Sequence, residues 1–288
     1  MSEDDEPKEP PPNPFPEPPP RTRPSAYLIR RCPACFGGLE HDPSQAVDIQ
    51  VCGDACFTQK RRRKGRVDPA RSHPQTVFVP AETADQMGAH VEHLRPSKAK
   101  PAKQARVAEE EDGYEPGLKV PRSVLIECEK SFKAADENRE KASTKFFEDT
   151  GIMGLLCRHD RVLFLVNMRS AGEKQYYMLA LLETLFQHLP ADIRVGVLYD
   201  IACLLHASCL KYKFLRRYMD RILFGVSVFH AFGHRWPCQM IYHPLKCAGF
   251  GFTNGEGCER FWHSISNLIA YLRVCGVRRG RYLCPERN

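Results

Sequence analysis

The chain has 288 residues, of which 42% are hydrophobic, and carries a formal charge of +7 at pH 7. This length allows one large domain or two small ones, and the mild basic bias is compatible with a polyanionic partner. The sequence shows no apolar run of about 18 residues and no signal-peptide pattern, so we expect neither a membrane span nor a secretory leader. The thirteen cysteines are therefore expected to be reduced, and either metal-bound or buried.

Two features mark the start of the chain. Residues 1–25 are acidic and rich in proline, which fixes φ and lacks an N–H, so a disordered tail is predicted. Cys32 and Cys35 form a C-x-x-C, a spacing at which two thiolates can share a zinc ion, although a structural or vestigial pair fits equally well. Residues 46–58 alternate as a strand that leads to Asp54, for which spacing alone favours a turn residue.

A basic run, K-R-R-R-K-G-R, follows this strand. Such blocks bind nucleic acid or nuclear import factors through charge, and a solvated linker explains the run equally well. The candidate nucleic-acid contacts are Lys60, Arg61, Arg62, Arg63 and Lys64. Residues 60–120 as a whole have a low-complexity composition without a sustained period, and we expect a long disordered insertion or linker there.

The remaining chain alternates between helical and strand patterns. Helices are predicted over 123–147, 172–189, 201–222 and 255–274, and strands over 161–168, 193–200 and 225–230. Together with the strand in 46–58, this order predicts an α/β fold with a mixed sheet covered by helices. The core would comprise residues 26–59 and 121–275, and residues 276–288 would form a basic C-terminal end.

Acidic residues stand at two prominent positions of this core. The strand I-R-V-G-V-L-Y-D ends on Asp200, and a strand end is a rigid place for a metal ligand or a catalytic acid. On the last helix, Glu259 flanks the apolar stripe, whereas Glu256 lies opposite this stripe and is spaced from Thr253 as a capping box. Glu259 is therefore the better candidate for a site, and Glu256 for a cap.

Carboxylates at Asp54, Asp200 and Glu259 would suit Mg²⁺, which takes oxygen ligands and keeps several waters. Two such ions can activate a water or a 3′-hydroxyl and stabilise the leaving oxygen of a phosphodiester, so no nucleophilic side chain is required. Spacing alone does not select these acids. A Ser-His-Asp or Cys-His enzyme stays open, although the sequence contains neither a G-x-S-x-G motif nor a P-loop.

Cysteines and histidines cluster around the same elements. Cys157 and His159 precede a strand and Cys128 lies upstream, so these three residues plus one further ligand make a candidate zinc site. Buried thiols and hydrogen-bonded imidazoles are the structural alternative. Cys203 and His206 form a C-x-x-H motif about one helical turn after the strand 193–200.

Several long motifs occur in an order that resembles one family. They are D-I-Q-V-C-G-D-A-C-F-T-Q-K-R-R, F-F-E-D-T-G-I-M-G-L-L-C-R-H-D, V-N-M-R-S-A-G-E-K-Q-Y-Y, L-Y-D-I-A-C, V-S-V-F-H-A-F-G-H-R-W-P-C-Q and F-T-N-G-E-G-C-E-R-F-W. Together they resemble the Kyakuja-Dileera-Zisupton (KDZ) transposases, which are abundant in fungal genomes. The resemblance extends over residues 27–272, apart from the low-complexity insertion.

The resemblance implies a ribonuclease-H-like core and DNA transposition through a DDE carboxylate triad that uses two Mg²⁺ or Mn²⁺ ions. Carried over by position, the triad is Asp54, Asp200 and Glu259, the last because E-R-F-W-H-S is also similar to a segment of the hAT transposases. Cys203 and His206 are similar to a hAT C-x-x-H that lies beside the active site. The implied partners are transposon ends, target DNA and further copies of the chain, and the implied compartment is the nucleus.

The chain departs from the family in length and at one residue. Members are usually longer, with an N-terminal cysteine-cluster zinc module and further helices after the Glu, so we expect a truncated or fragmentary member. Gly53 stands where a larger apolar residue is usual, and a glycine in a strand is expected to loosen the adjacent Asp54. A catalytically inactive, domesticated DNA-binding or chromatin protein is therefore an alternative, and a zinc-stabilised scaffold is a third.

Overall fold

The protein is described by a computed structural model that covers residues 13–63, 76–95, 112–114, 116–140 and 146–274. Its strands are β1 (Ile49–Cys56), β2 (Arg61–Arg62), β3 (Phe147–Asp149), β4 (Gly151–Cys157), β5 (Val162–Met168), β6 (Val195–Tyr199) and β7 (Ile222–Gly225). Its α-helices are α1 (Ala26–Arg31), α2 (Pro33–Phe36), α3 (Ala81–Leu94), α4 (Arg122–Glu140), α5 (Gln175–Phe186), α6 (Ala202–Tyr212), α7 (Val228–Ala231), α8 (Trp236–Tyr242), α9 (Gly257–Ser264) and α10 (Ile269–Val274). Within these ranges, no helix combines the length and the apolar character that a membrane crossing requires.

One mixed sheet of five strands organises the core. Its strand order is β5-β4-β1-β6-β7, and β2 and β3 form a separate two-stranded ribbon. The central strand β1 runs antiparallel to β4 and parallel to β6, and β6 runs parallel to β7. This sheet, flanked by helices, confirms the predicted α/β, ribonuclease-H-like fold.

Helices cover both faces of the sheet, which explains why β6 is buried along its whole length. On one face, α5 packs against the strands with Met178 and Leu182 fully buried. On the other face, Trp262 and Phe250 belong to one apolar cluster with Leu198. Successive side chains of β6 therefore enter two apolar layers, and Asp200 follows at the partly exposed end of the strand.

The stretch predicted as a disordered insertion contains ordered structure. β2 lies near its start and α3 in its middle, where Ala84, Met87 and Val91 are buried at helical spacing and the helix packs against α5. Three apolar residues at helical spacing are a weak periodic signal. The polar composition of the surrounding residues therefore hid this helix from prediction. Residues 64–75 and 96–111 lie outside the described residues.

Part of the proline-rich segment also contacts the core. Gln187 donates from Nε2 to the carbonyl oxygen of Pro16 at 2.9 Å, and Arg21 donates from Nε to the carbonyl oxygen of Gln187 at 3.2 Å. Proline lacks a donor but keeps its carbonyl acceptor, so such a segment can still be held by side-chain donors. Residues 1–12 lie outside the described residues.

Several predicted boundaries differ from the structure. The helix predicted over 201–222 ends at Tyr212, because Lys213 and Leu215 adopt left-handed φ values of 59° and 50°. The strand predicted over 225–230 is wrong: β7 ends at Gly225, where the predicted range begins, and α7 occupies Val228–Ala231. The last predicted helix is divided into α9, a 3-10 turn and α10, and the fully buried β4 was not predicted as a strand.

Candidate functional site

The two aspartates lie at the same level of two adjacent parallel strands. Gly53 of β1 is paired with Tyr199 of β6; Asp54 comes next, two residues before the end of β1, and Asp200 directly follows β6. Neighbouring parallel strands in this register place these two residues side by side near one edge of the sheet. β1, the first predicted strand, and β6, which comes after the predicted insertion, are therefore direct neighbours in the sheet.

Helix α9 brings the third acid to the same edge. Trp262 of α9 donates from Nε1 to Oδ2 of Asp54 at 2.6 Å, and Glu259 lies one turn earlier on this helix. Ligand atoms of Asp54, His230 and Glu259 lie within 4.8 Å of one another. His230 Nε2 is 3.7 Å from Glu259 Oε1, and the Glu259 side chain is about half exposed.

The acids at this edge influence the pKa of Asp54. The pKa of Asp54 is raised to about 8, chiefly because its carboxyl is buried and then because of the negative charge of Asp200. Glu259 raises the same pKa further, whereas the hydrogen bond from Trp262 lowers it. A buried carboxyl whose ionisation is disfavoured by neighbouring negative charge is an electrostatic setting that a divalent cation relieves.

Glu256 takes no part in this group of acids, and its predicted role differs from the observed one. It occupies the N-cap position of α9, but its side chain makes no capping hydrogen bond there. Its Oε1 instead accepts from the backbone N–H of Phe229 at 2.8 Å, and the hydroxyl of Thr253 donates to the side chain of Gln50. The predicted capping box is thus wrong, because both of its side chains serve contacts that are distant in the sequence.

Two glycines allow side chains from the covering helices to approach the sheet closely near Asp54. A Cβ atom on Gly53 would lie 2.6 Å from Sδ of Met178, so glycine at this position lets α5 approach the sheet. A Cβ atom on Gly154, which is paired with Asp54, would lie 3.0 Å from the Trp262 ring. Gly53 is paired with a strand on both sides, and glycine at this position fits a close helix–sheet contact. The loosening of Asp54 stays a prediction.

A first cysteine-histidine cluster, tetrad 1, consists of Cys32, Cys35, Cys157 and His159, whose ligand atoms lie within 4.8 Å of one another. Cys35 Sγ is 3.1 Å and Cys32 Sγ is 3.6 Å from Nδ1 of His159. The C-x-x-C, with Cys32 between α1 and α2 and Cys35 within α2, thus meets its partners at the end of β4 and in the turn after it. The spacing of these residues in the sequence did not indicate that the two pairs meet.

A second cluster, tetrad 2, consists of Cys128, Cys203, His234 and Cys238, again with ligand atoms within 4.8 Å. Its members come from α4, from α6, from the loop before α8 and from α8. The predicted zinc site that joined Cys128 to Cys157 and His159 is therefore wrong, because the fold divides these residues between two clusters. Of the C-x-x-H pair, Cys203 belongs to tetrad 2, whereas His206 Nδ1 is 3.0 Å from the Tyr242 hydroxyl oxygen.

The thiol pKa values differ within each tetrad. The pKa of Cys157 is lowered to about 5, chiefly because the Cys35 thiol donates a hydrogen bond to its thiolate. The pKa of Cys128 is also lowered, chiefly by hydrogen bonds from the thiols of Cys203 and Cys238. Each tetrad therefore favours at least one thiolate, which is the form that binds metal ions.

The basic run is not a uniform patch. Arg61 is buried and donates to Asp149 Oδ2 at 2.7 Å and to Glu148 Oε2 at 2.8 Å, so the prediction that it contacts nucleic acid is replaced by an ion pair between β2 and β3. Arg62 and Arg63 are exposed, and Lys60 lies over the Phe147 ring. Lys64 lies outside the described residues.

His230 and His234 are two members of these clusters that the sequence motifs did not single out. Both lie in a stretch rich in histidine and cysteine, and no periodic pattern distinguishes one from the other. Their signal is the H-x-x-x-H-x-x-x-C spacing from His230 to Cys238, which the structure divides between the acids and tetrad 2.

A ribonuclease-H-like sheet with carboxylates at two parallel strand ends and on a covering helix defines the structural class. Within this class, the family model described as Kyakuja-Dileera-Zisupton (KDZ) transposase matches residues 47–283, and the chain belongs to that family. This confirms the resemblance seen in the motifs and supports a transposase-like function, with the divalent metal use and the action on DNA that the family implies. Comparisons with curated proteins and with solved structures gave no match.

Proposed function

We propose that the protein cleaves DNA strands and joins them to target DNA, with Asp54, Asp200 and Glu259 as the ligands of Mg²⁺ or Mn²⁺. The observations that support this proposal are that Asp54 and Asp200 follow paired residues of neighbouring parallel strands and that ligand atoms of Asp54 and Glu259 lie within 4.8 Å of each other, together with His230. The resemblance of the motifs to those of the family supports the same three residues as the DDE triad. The substrates would be transposon ends and target DNA in the nucleus.

The donor set fits the proposed metal. Carboxylate oxygens are the ligands that Mg²⁺ and Mn²⁺ prefer. Burial and the negative charge of Asp200 raise the pKa of Asp54, and a bound cation would offset both effects. When bound at such a site, divalent ions activate a water or a 3′-hydroxyl and stabilise the leaving oxygen of a phosphodiester.

The protein's own residues position this chemistry. Asp54 and Asp200 are held on neighbouring strands, and Trp262 fixes one oxygen of Asp54 by its hydrogen bond. His230 lies close enough to Glu259 to attract this half-exposed carboxylate when the imidazole is protonated. The exposed Arg62 is a candidate contact for DNA phosphates. The guanidinium of its neighbour Arg61 instead binds the carboxylates of Asp149 and Glu148.

Nicking of a supercoiled plasmid in the presence of Mn²⁺ tests the proposal. The parent protein is expected to nick the plasmid, and Asp200→Asn is expected to lose this activity. The matched control is Asp192→Asn. Asp192 is exposed and lies before β6, whereas Asp200 lies directly after this strand. The control variant should nick the plasmid like the parent. Equal nicking by the parent and Asp200→Asn would contradict the proposal.

The third acid is tested by a second pair of variants. Glu259→Gln is expected to abolish nicking, whereas Glu256→Gln keeps an oxygen that can accept from the N–H of Phe229 and is expected to retain it. Loss in Glu256→Gln with activity in Glu259→Gln would reverse the assignment. A parent protein that binds DNA with a steep salt dependence but never nicks it would favour the inactive DNA-binding alternative.

A further inference from the structure

Both tetrads have the composition of a zinc site. Each consists of three thiols and one imidazole, and thiolate with imidazole is the donor set that zinc takes in closed structural sites. Each also joins elements that are distant in the sequence, so the four donors meet only in the folded chain. Cys32 and Cys35 precede the segment that the family model matches, so tetrad 1 recruits two donors from outside that segment.

The distances agree with tetrahedral coordination. With Zn–S bonds of about 2.3 Å and Zn–N bonds of about 2.0–2.1 Å, a sulfur and a nitrogen on one tetrahedral ion lie roughly 3.5 Å apart. Nδ1 of His234 is 3.6 Å from Cys128 Sγ and 3.5 Å from Cys203 Sγ. In tetrad 1, Nδ1 of His159 is 3.6 Å from Cys32 Sγ and 3.1 Å from Cys35 Sγ.

The imidazole of His234 links tetrad 2 to the proposed DNA-cleaving site. Its Nδ1 faces the thiols, and its Nε2 is 2.8 Å from the backbone carbonyl oxygen of Asp200. A histidine that binds metal through Nδ1 carries its proton on Nε2 and can donate it to a carbonyl, which is the usual arrangement around zinc. The same ring thus presents its nitrogen to the thiols and its N–H to the residue that carries the second acid.

We propose that the chain binds one zinc ion in each tetrad and that the ion in tetrad 2, through His234, fixes the backbone of Asp200. The ion in tetrad 1 fastens helices α1 and α2 to the turn between β4 and β5. The positioning of Asp200 rests on the proposed function, whereas the two zinc sites stand independently of it.

The zinc content of the purified protein tests the two sites. Metal analysis of the parent is expected to give two zinc ions per chain, and Cys35→Ser and Cys238→Ser are each expected to give one. Cys247→Ser is the matched control, since this cysteine follows α8 but belongs to neither tetrad, and it should keep both ions. A parent free of zinc, or a mass that shows Cys32 and Cys35 joined as a disulfide, would overturn the assignment.

Cobalt provides a measurement that does not depend on a variant. Replacement of zinc by Co²⁺ in the parent should give the intense visible and near-ultraviolet bands of tetrahedral cobalt–thiolate coordination, at two equivalents per chain. Saturation at one equivalent would remove one of the two sites from the proposal. Absence of these bands would remove both sites.

Binding of Mn²⁺ to the acids tests the positioning of Asp200. Cys238→Ser is expected to weaken Mn²⁺ binding by roughly tenfold or more, the range for losing a partner that orients a metal ligand. Cys238→His supplies another zinc donor and should restore both the zinc ion and the Mn²⁺ affinity, and Cys247→Ser should leave both unchanged. Unchanged Mn²⁺ affinity in zinc-depleted Cys238→Ser would overturn the positioning role. A parent with two zinc ions but no Mn²⁺ binding would refute the proposed function and leave the zinc sites intact.

Discussion

Trp262 donates a hydrogen bond from its indole N–H to the carboxylate of Asp54 at 2.6 Å, and this bond joins the helix that carries one acid to the strand that carries another. Glu259 lies on the same helix, one turn before Trp262. The tryptophan therefore sets the distance between α9 and β1 with its ring and the orientation of Asp54 with its nitrogen. Gly154, opposite Asp54, leaves the space that the ring occupies.

Replacement of Trp262 by phenylalanine should weaken metal binding at the acids. The variant keeps an aromatic ring over the sheet but loses the donor to Asp54. A hydrogen bond to a charged group contributes about 1.5 kcal/mol or more, so we expect Mn²⁺ affinity to fall by about tenfold. Titration of Mn²⁺ followed by electron paramagnetic resonance measures this change.

The control for this variant is Trp236→Phe, because Trp236 is the second tryptophan of the chain and its side chain is exposed. It should bind Mn²⁺ like the parent. Equal affinities for Trp262→Phe and the parent would show that the indole N–H does not orient the carboxylate.

His206 should make stability depend on pH. Burial lowers the pKa of His206 to about 4. Between about pH 6.5 and pH 4 the unfolded chain therefore binds a proton that the folded chain does not, so the free energy of unfolding falls as the pH falls through this window. In urea unfolding, His206→Gln should lose part of this slope, whereas the exposed His263→Gln should keep it. Parallel pH profiles for the parent and His206→Gln would contradict the buried, neutral state of the ring.

The adjacent arginines of the basic run should behave differently. Arg61→Ala removes the partner of the buried Asp149 carboxylate, and leaving a buried charge unpaired costs about 3–5 kcal/mol of stability. Arg62→Ala should change stability by no more than about 0.5 kcal/mol but should weaken DNA binding and reduce its salt dependence by about one counterion. Urea unfolding and DNA titrations at several salt concentrations separate the two effects. Equal stabilities of the two variants would contradict the assigned ion pair.

Gly53→Ala should destabilise the protein through one contact. The added Cβ atom meets the Met178 sulfur, which is fully buried, and such overpacking costs about 1–3 kcal/mol. Met178→Ala removes the obstructing atoms at its own cost, so the double variant should be more stable than the sum of the single effects predicts. Simple additivity in urea unfolding would show that the cost of Gly53→Ala arises elsewhere.

Much of the fold could be predicted from local pattern. The alternation that ends on Asp200 and the helical spacing of the segments on either side of it correspond to β6, α5 and α6. β4 escaped prediction because a strand that is buried on both faces is a continuous apolar run without alternation. α3 escaped it because three buried residues are a weak signal inside a polar composition.

The candidate site could be predicted only in part. Periodicity indicated Glu259 and the strand end indicated Asp200, but Asp54 needed the family motifs. Spacing could not assign the cysteines to their clusters, because most partners of Cys128 and of Cys157 are distant in the sequence and the fold places the two residues in different clusters. Tetrad 2, for example, depends on contacts between α4, α6 and α8, and contacts between distant elements cannot be predicted from a short stretch of sequence.

The most direct test of the proposed acid site is a crystal structure of the protein with bound Mn²⁺, located by its anomalous scattering. We expect a manganese peak in contact with the carboxylates of Asp54 and Asp200 and next to Glu259, and we expect this peak to vanish in Asp200→Asn. A peak that persists at full height in Asp200→Asn, or manganese bound elsewhere while these three carboxylates stay free of metal, would contradict the account.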